Sequence, residues 1–340
     1  MRVGSIGYAT DQGIAHLMKS FYDAGVVNDV AIFHHSSRTN HPEWYKPDDV
    51  FGTIARRPFD WPEIREWLKQ HDAMLFFETP FDWTVIPWCQ DNGIRTYIMP
   101  MYECTPRQIP YQPHRWLCPS ALDLDYFSGY SNAQFIEVPV EPVEWHQRSK
   151  ALRFLHNGGN LGLRGHKGTL EIIQAMKYVT KPVELTIRSQ DTAGLTKIIR
   201  QEPWIKSDKR VRFHPGEFKR SSLFDPAHDV FIMAEKYNGL SLPLREARAA
   251  GMYVMTSDRY PMHTWLPKEG LIPVGSYHRA CISGAYMEYD EAKVNPQQIA
   301  AKLDEVYGRD ITAYSQTGKM WADSMSWASL KPDWLEALSK

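Results

Sequence analysis

The chain has 340 residues, 43% of them apolar and 23% charged, enough for two domains with large cores. Its formal charge of −1 provides no global basic field for nucleic acid. No run approaches the roughly 18 apolar residues of a membrane span, and the cysteines Cys89, Cys104, Cys118 and Cys281 lack CxxC spacing. They read as reduced thiols of a cytoplasmic protein, not as a zinc site or disulfide frame.

In chain order, residues 2–7 read as a strand, and Tyr8 to Gly13 as a loop that opens a helix over 14–23. Gly4, Gly7 and Gly13 do not fit G-x-G-x-x-G, so no NAD site is expected. A strand over 29–34, a helix over 61–70 opened by Pro62, and a strand over 73–77 come next. A helix over 84–92 then ends at Gly93, before a strand over 95–100. Glu78 and Glu103 stand just past strand ends, the edge at which open parallel sheets hold ligands. With Gly13 in the Asp11-Gln12-Gly13 loop they are the candidate residues of the first domain, although for each glutamate a surface carboxylate is the more common outcome. His34, His35 and His41 have no carboxylate or cysteine companions at ligand spacing and read as loop-surface histidines. Trp44, Trp61, Trp83 and Trp88 are sized to stack on a sugar or base, or to fill a core.

Asp123-Leu124-Asp125 is a DxD pair, and such carboxylates can hold a divalent metal on a diphosphate. Here the segment looks helical with no strand feeding it, so a solvated helix end is expected and no metal site. Residues 135–140 read as a strand and 141–150 as an interdomain linker, giving domains over 1–145 and 151–320. A strand over 152–157 runs into a glycine-rich loop that includes Gly158, Gly159, Arg164, Lys167 and Gly168, and a helix over 169–177. Glycines allow close backbone approach, and two cations beside a helix start suit a diphosphate. Strands over 185–188, which places Arg188 at a strand end, and 211–214 continue the series.

The stretch 229–258 is the most informative. An apolar strand over 230–233 turns through Asn238-Gly239 into a helix over 243–250, bracketed by Pro243 and Gly251, and a strand over 253–256 comes after it. Glu246 lies in the helix's first turns. Spacing alone also fits a crossover helix bearing an ordinary surface glutamate. Residues 296–307 and 321–338 read as helical, the latter rich in tryptophan.

Leu155-His156-Asn157-Gly158-Gly159 with Lys167-Gly168 resembles a donor-phosphate loop and its KG pair. Asn238-Gly239-Leu240-Ser241-Leu242-Pro243-Leu244-Arg245-Glu246-Ala247 resembles the signature E-G-F-G-L-P-x-x-E-A, and Ala249-Ala250-Gly251 and Thr256-Ser257-Asp258 match the usual continuation of that signature. On these residues the sequence resembles the retaining, family-4-type glycosyltransferases over nearly its whole length. The resemblance implies the GT-B fold, two Rossmann-like doubly wound parallel-sheet domains facing a cleft, with residues 321–340 crossing back to the first domain. It implies metal-independent sugar transfer from a UDP-, GDP- or similar nucleotide sugar with retention, and no further cofactor. Glu246 takes the ribose, while Lys167 and a second basic residue, Arg164 in preference to His166, take the diphosphate. Gly158, Gly159, Arg188, Gly239, Leu240, Ser241 and Leu242 complete the donor site. Asn238 replaces the signature's first glutamate, a departure that removes a charge. Gly13, Glu78 and Glu103 fall on the acceptor side, and the acceptor is open: a glycan, a small molecule, a protein, or a modified DNA base as in viral enzymes. A non-catalytic GT-B binding protein and a GT-B nucleotide-sugar epimerase are the competing readings.

Overall fold

The computed structural model describes residues 1–36, 38–54, 62–159 and 165–340. The candidates Arg164 and Trp61 therefore lie outside the described residues. The chain divides into two units. The first comprises Met1–Pro139, Cys281–Glu288 and Trp327–Lys340; the second comprises Val140–Ala280 and Tyr289–Ser326.

The first unit contains β1 (Val3–Tyr8), α1 (Gly13–Asp23), β2 (Asp29–Phe33), β3 (Val50–Ile54), α2 (Pro62–Leu68), β4 (Ala73–Glu78), α3 (Val85–Asp91), β5 (Arg95–Pro100), β6 (Arg115–Cys118), α4 (Ala121–Phe127) and β7 (Ala133–Phe135). Among the described residues its strands run β3-β2-β1-β4-β5-β6-β7, every pair parallel. Runs such as Ala73 to Phe77 are buried on both faces, as the strands of a helix-covered parallel sheet must be.

Two expectations are corrected here. A strand, β6, does feed the DxD helix: four residues suffice because Trp116, Leu117 and Cys118 are buried. The strand expected over 135–140 stops at Phe135. Pro139 has no N–H to offer a ladder, and Val140 donates instead to Met325 O at 2.8 Å.

The second unit contains β8 (Arg153–Gly159), α5 (Thr169–Ala175), β9 (Glu184–Ser189), α6 (Thr192–Gln201), β10 (Val211–Pro215), β11 (Val230–Met233), α7 (Leu242–Ala249), β12 (Tyr253–Ser257), α8 (Met262–Trp265), β13 (Leu271–Ile272), the antiparallel pair β14 (Val274–Ala280) and β15 (Tyr289–Val294), α9 (Pro296–Val306) and α10 (Thr312–Ser324). Its parallel sheet runs β10-β9-β8-β11-β12-β13 among the described residues. Both sheets thus reverse direction beside their first strand, between β1 and β4 and between β8 and β11, the switch point at which doubly wound sheets open a ligand crevice.

The final helix, α11 (Trp327–Ser339), belongs to the first unit. Trp334 is fully buried and donates to Glu137 O at 2.8 Å, and Trp327 donates to Ser20 Oγ at 2.7 Å. Both indoles meet Phe21 edge-on, with centroids 4.5 and 4.7 Å away.

Candidate functional site

At the switch point of the second unit, β8 ends on Gly158 and Gly159. Gly159 has φ +62, and a Cβ there would lie 2.6 Å from Lys167 Nζ, so the glycine lets the ammonium lie across the strand end. Gly168 has φ +68, and its Cβ would fall 2.3 Å from Ala234 O beyond β11. The Lys-Gly pair is therefore a packing requirement: only the glycine can press the loop against β11 and leave the lysine above β8. His156, fully buried, fastens the same corner, with Nδ1 2.8 Å from Ile232 O and Nε2 2.8 Å from Thr169 Oγ1. Burial pushes the Lys167 amine down, while the Glu235 carboxylate pulls it back toward the charged form.

Glu246 is buried on α7, and burial raises it to about 7 against the opposing pull of Arg220. Arg220 Nη2 donates to Glu246 Oε1 at 2.5 Å and pairs with Glu141 Oε2 at 2.6 Å. Sequence reading missed Arg220. Its signal is the pair Lys219-Arg220 shortly after the end of β10. The segment that carries it is fixed by Arg188, which donates to Ser222 O (2.6 Å) and Leu223 O (3.2 Å) and pairs with Asp225. Arg188 stands where expected, at the end of β9, but its guanidinium is engaged in bracing this segment. The N-terminal end of α7 comes directly after Ser241, held at φ +49.

Asn238 turns inward. Its Oδ1 accepts from the amides of Leu240 (3.0 Å) and Ser241 (3.1 Å), and its own φ is +150. Gly239, Leu240 and Ser241 are buried in the loop, while Asn238 and Leu242 are half-buried. Two amides expected to face a donor are thus used in shaping the turn. The carboxylate of this loop is Glu235, 1% exposed, which accepts from Ser241 Oγ (3.1 Å) and pairs with Arg259 (2.9 Å). Arg259 also donates to Glu235 O (3.1 Å) and Asn238 O (2.8 Å). By sequence alone Glu235 bounds the strand over 230–233 and ends the segment Asp229 to Glu235 that resembles the family's strand before the site, with no role assigned to its carboxylate.

In the first unit, Glu78 closes β4 with φ +65, a left-handed conformation unusual for a residue other than glycine or asparagine. Burial raises its carboxyl to about 7. Glu103, buried in the short turn Tyr102–Cys104, and Asp123 lie at the same edge, and all three carboxylates help push up the Cys104 thiol, after burial itself. Gly13 opens α1 and is exposed.

The expected solvated DxD is corrected. Asp123 is 1% exposed in the first turn of α4. Ser120 caps the helix, its Oγ accepting from the Asp123 amide (3.0 Å) and donating to the Asp123 carboxylate, which also accepts from the Tyr102 amide (3.1 Å), and burial raises that carboxyl to about 7. Asp125 is exposed, and residues two apart on a helix do not share a face. His41 has carboxylate neighbours in space: Glu43 Oε1 at 2.8 Å from Nδ1 and Asp11 Oδ2 at 3.1 Å from Nε2. Trp44 stacks on both His16 and His41, with centroids 4.7 and 4.9 Å away. Trp83 lies 6.4 Å from Trp116, and Trp88 is half-buried in α3. Among the described residues, no group of three or more His, Cys, Asp or Glu side chains is arranged to hold a metal ion, and no helix is long and apolar enough to cross a membrane.

No protein-family model matches this sequence, and no curated protein does. Solved structures do match it in fold. Anabaena Alr3699/HepE, determined with UDP and glucose, superposes with a TM-score of 0.70 at 9% identity, covering 100% of this chain and 99% of its own. A glycosyltransferase from Rickettsia africae gives a TM-score of 0.70 at 11% identity over 99% and 98%. The pneumococcal O-GlcNAc transferase GtfA, determined with UDP and GlcNAc, gives 0.55 at 12% identity; 82% of this chain matches, spanning 59% of that longer one. The fold is GT-B.

Proposed function

We propose that this chain is a retaining glycosyltransferase that moves a sugar from a nucleotide-diphosphate donor to an acceptor hydroxyl without a metal ion. The observation that carries this reading is the pairing at one sheet edge of Lys167, laid over Gly159, with a buried carboxylate, Glu246, on the helix after β11. This occurs in a fold shared end to end with a chain solved with UDP and glucose.

Breaking the donor bond leaves positive charge on the sugar ring and negative charge on the departing diphosphate. Lys167 meets that growing charge in a site of low polarity, where a fixed cation is most effective. Glu246, with Oε1 held by Arg220, presents its second oxygen to the ribose hydroxyls. The acceptor belongs to the first unit, where Glu78 and Glu103 are the candidate contacts to a hydroxyl. Free thiols at Cys89, Cys104, Cys118 and Cys281 suit the reducing cytoplasm.

The test is a thermal-shift series with UDP, GDP, ADP and CMP and their sugar conjugates, because a ligand that binds the folded chain must stabilise it, by about 2.7 kcal/mol at 100 times Kd. UDP or one other nucleotide should raise Tm, and Glu246→Ala should remove most of that rise while circular dichroism stays native. If no nucleotide shifts Tm, a non-catalytic GT-B protein becomes the better reading. If the nucleotide shift is equal in Glu246→Ala, the ribose role fails.

A further inference from the structure

Where the family signature has a glutamate this chain has Asn238, whose side chain is used in tying its own turn. A carboxylate nevertheless enters the same loop three residues earlier. We propose that Glu235 is the positioning carboxylate of the donor pocket, holding Lys167 in place and charged for the diphosphate; this rests on the donor-site reading above.

The geometry comes from two backbone contacts that bracket the pair. The Lys236 amide donates to His166 O at 2.6 Å, and a Cβ on Gly168 would fall 2.3 Å from Ala234 O. Residue 166 therefore lies against 236, and 168 against 234. This antiparallel match leaves 167 opposite 235. Glu235 is in turn fixed on both oxygens, by Ser241 Oγ at 3.1 Å and Arg259 Nη2 at 2.9 Å, and a guanidinium with 3% exposure has little freedom to withdraw. Arg259 also grips Glu235 O and Asn238 O, so the arginine–carboxylate pair ties the loop after β11 to the loop after β12, with the Lys-Gly loop alongside.

The charged and titratable groups around Lys167 are Glu235, His166, His156, Arg259 and Lys236. His166 and His156 sit far below the usual histidine range, at about 3 and about 4, chiefly through burial. Near neutral pH both are uncharged. Among the described residues Glu235 is the carboxylate that draws Lys167 toward its charged form, while Arg259 and Lys236 act on the neighbouring His166. The arrangement is thus a half-buried lysine whose charge is favoured by a neighbouring carboxylate.

The experiment is trace acetylation of the full chain with acetic anhydride from pH 6 to 10, reading the Lys167 peptide by mass spectrometry against exposed Lys69. Only the neutral amine reacts, so the midpoint tracks the lysine's protonation. Glu235→Gln, which keeps the shape and loses the charge, should lower the Lys167 midpoint by about 1 pH unit or more and speed labelling about tenfold at fixed pH. Glu235→Asp, which draws the charge back by one methylene and retains the fold more readily, should lower it by less. Lys69 should not move in either variant. An unmoved Lys167 midpoint in either folded variant overturns the proposal. Protection of Lys167 by UDP in the unmodified chain is read separately. Its absence counts against the donor-site reading, whereas the midpoints alone decide the Glu235 assignment.

Discussion

The two units share a strand order up to β13 and differ in how their ligand edges hold carboxylates. In the second unit each is bonded to an arginine: Glu235 to Arg259, Glu246 to Arg220, Asp225 to Arg188. In the first unit Glu78 owes its shift to burial, and Asp123 is held by a serine hydroxyl and a backbone amide. The first edge therefore carries carboxyls near pH 7 that can donate or accept a proton, suited to hydroxyl groups. The second also has a raised carboxyl, Glu246 at about 7, but sets an arginine beside each carboxylate with Lys167 among them, an array of cations suited to phosphate. The same topology delivers both edges, and a handful of residues sets their chemistry.

The largest effect that separates the edges should come from Lys167→Ala. Turnover should fall about 100- to 1,000-fold, the cost of losing one preorganised electrostatic group, with UDP affinity changing far less. Parallel losses in turnover and UDP affinity would instead make Lys167 a general binding group. Next comes Gly168→Ala. A left-handed backbone and a Cβ pressed on Ala234 O should together lower unfolding free energy by about 3 kcal/mol in urea titration. Gly13→Ala, at the exposed start of α1, should leave stability unchanged or raise it by a few tenths of a kcal/mol. Equal behaviour of these two variants would show that the Lys-Gly corner is not tightly packed.

Smaller effects belong to Glu78. Its φ of +65 costs a side-chain-bearing residue about 1 kcal/mol, so Glu78→Gly should raise stability by about that much while lowering turnover. A stabilised variant with full activity would remove Glu78 from the acceptor side. The smallest effect is in pH. The folded chain keeps the Glu78 proton up to about 7, while the unfolded chain releases it near its ordinary 4.5. Its contribution to stability is therefore complete below about pH 4.5 and is lost as pH rises through 7. Glu78→Gln escapes that loss, so its Tm relative to the parent should increase between pH 5 and pH 8. A constant difference would mean the carboxyl is well solvated.

The elements most legible in the sequence are those with local signals. The strand Val230–Met233 and the helix Leu242–Ala249 are marked by an apolar run, a leading proline and a trailing glycine. The strand Val50–Ile54, the helix Thr192–Gln201 and the hairpin Val274–Ala280 with Tyr289–Val294 were not expected from the sequence. The hairpin strand Val274–Ala280 is largely exposed and polar, so it has no apolar run to betray it.

By itself, the amino-acid sequence determined the alternation of strands and helices and the placement of Lys167, Gly168 and Glu246 beside strand ends, because periodicity, caps and glycine spacing are properties of neighbouring residues. The GT-B architecture came only through the resemblance of its signature to a known family. The tertiary structure alone decided the partners. Arg220 reaches Glu246 across 26 positions and Arg259 reaches Glu235 across 24, Asn238 bonds its own loop, and Asp123 is buried under Tyr102. A buried charge takes whichever partner the packing brings within hydrogen-bond distance, and no local spacing records that choice.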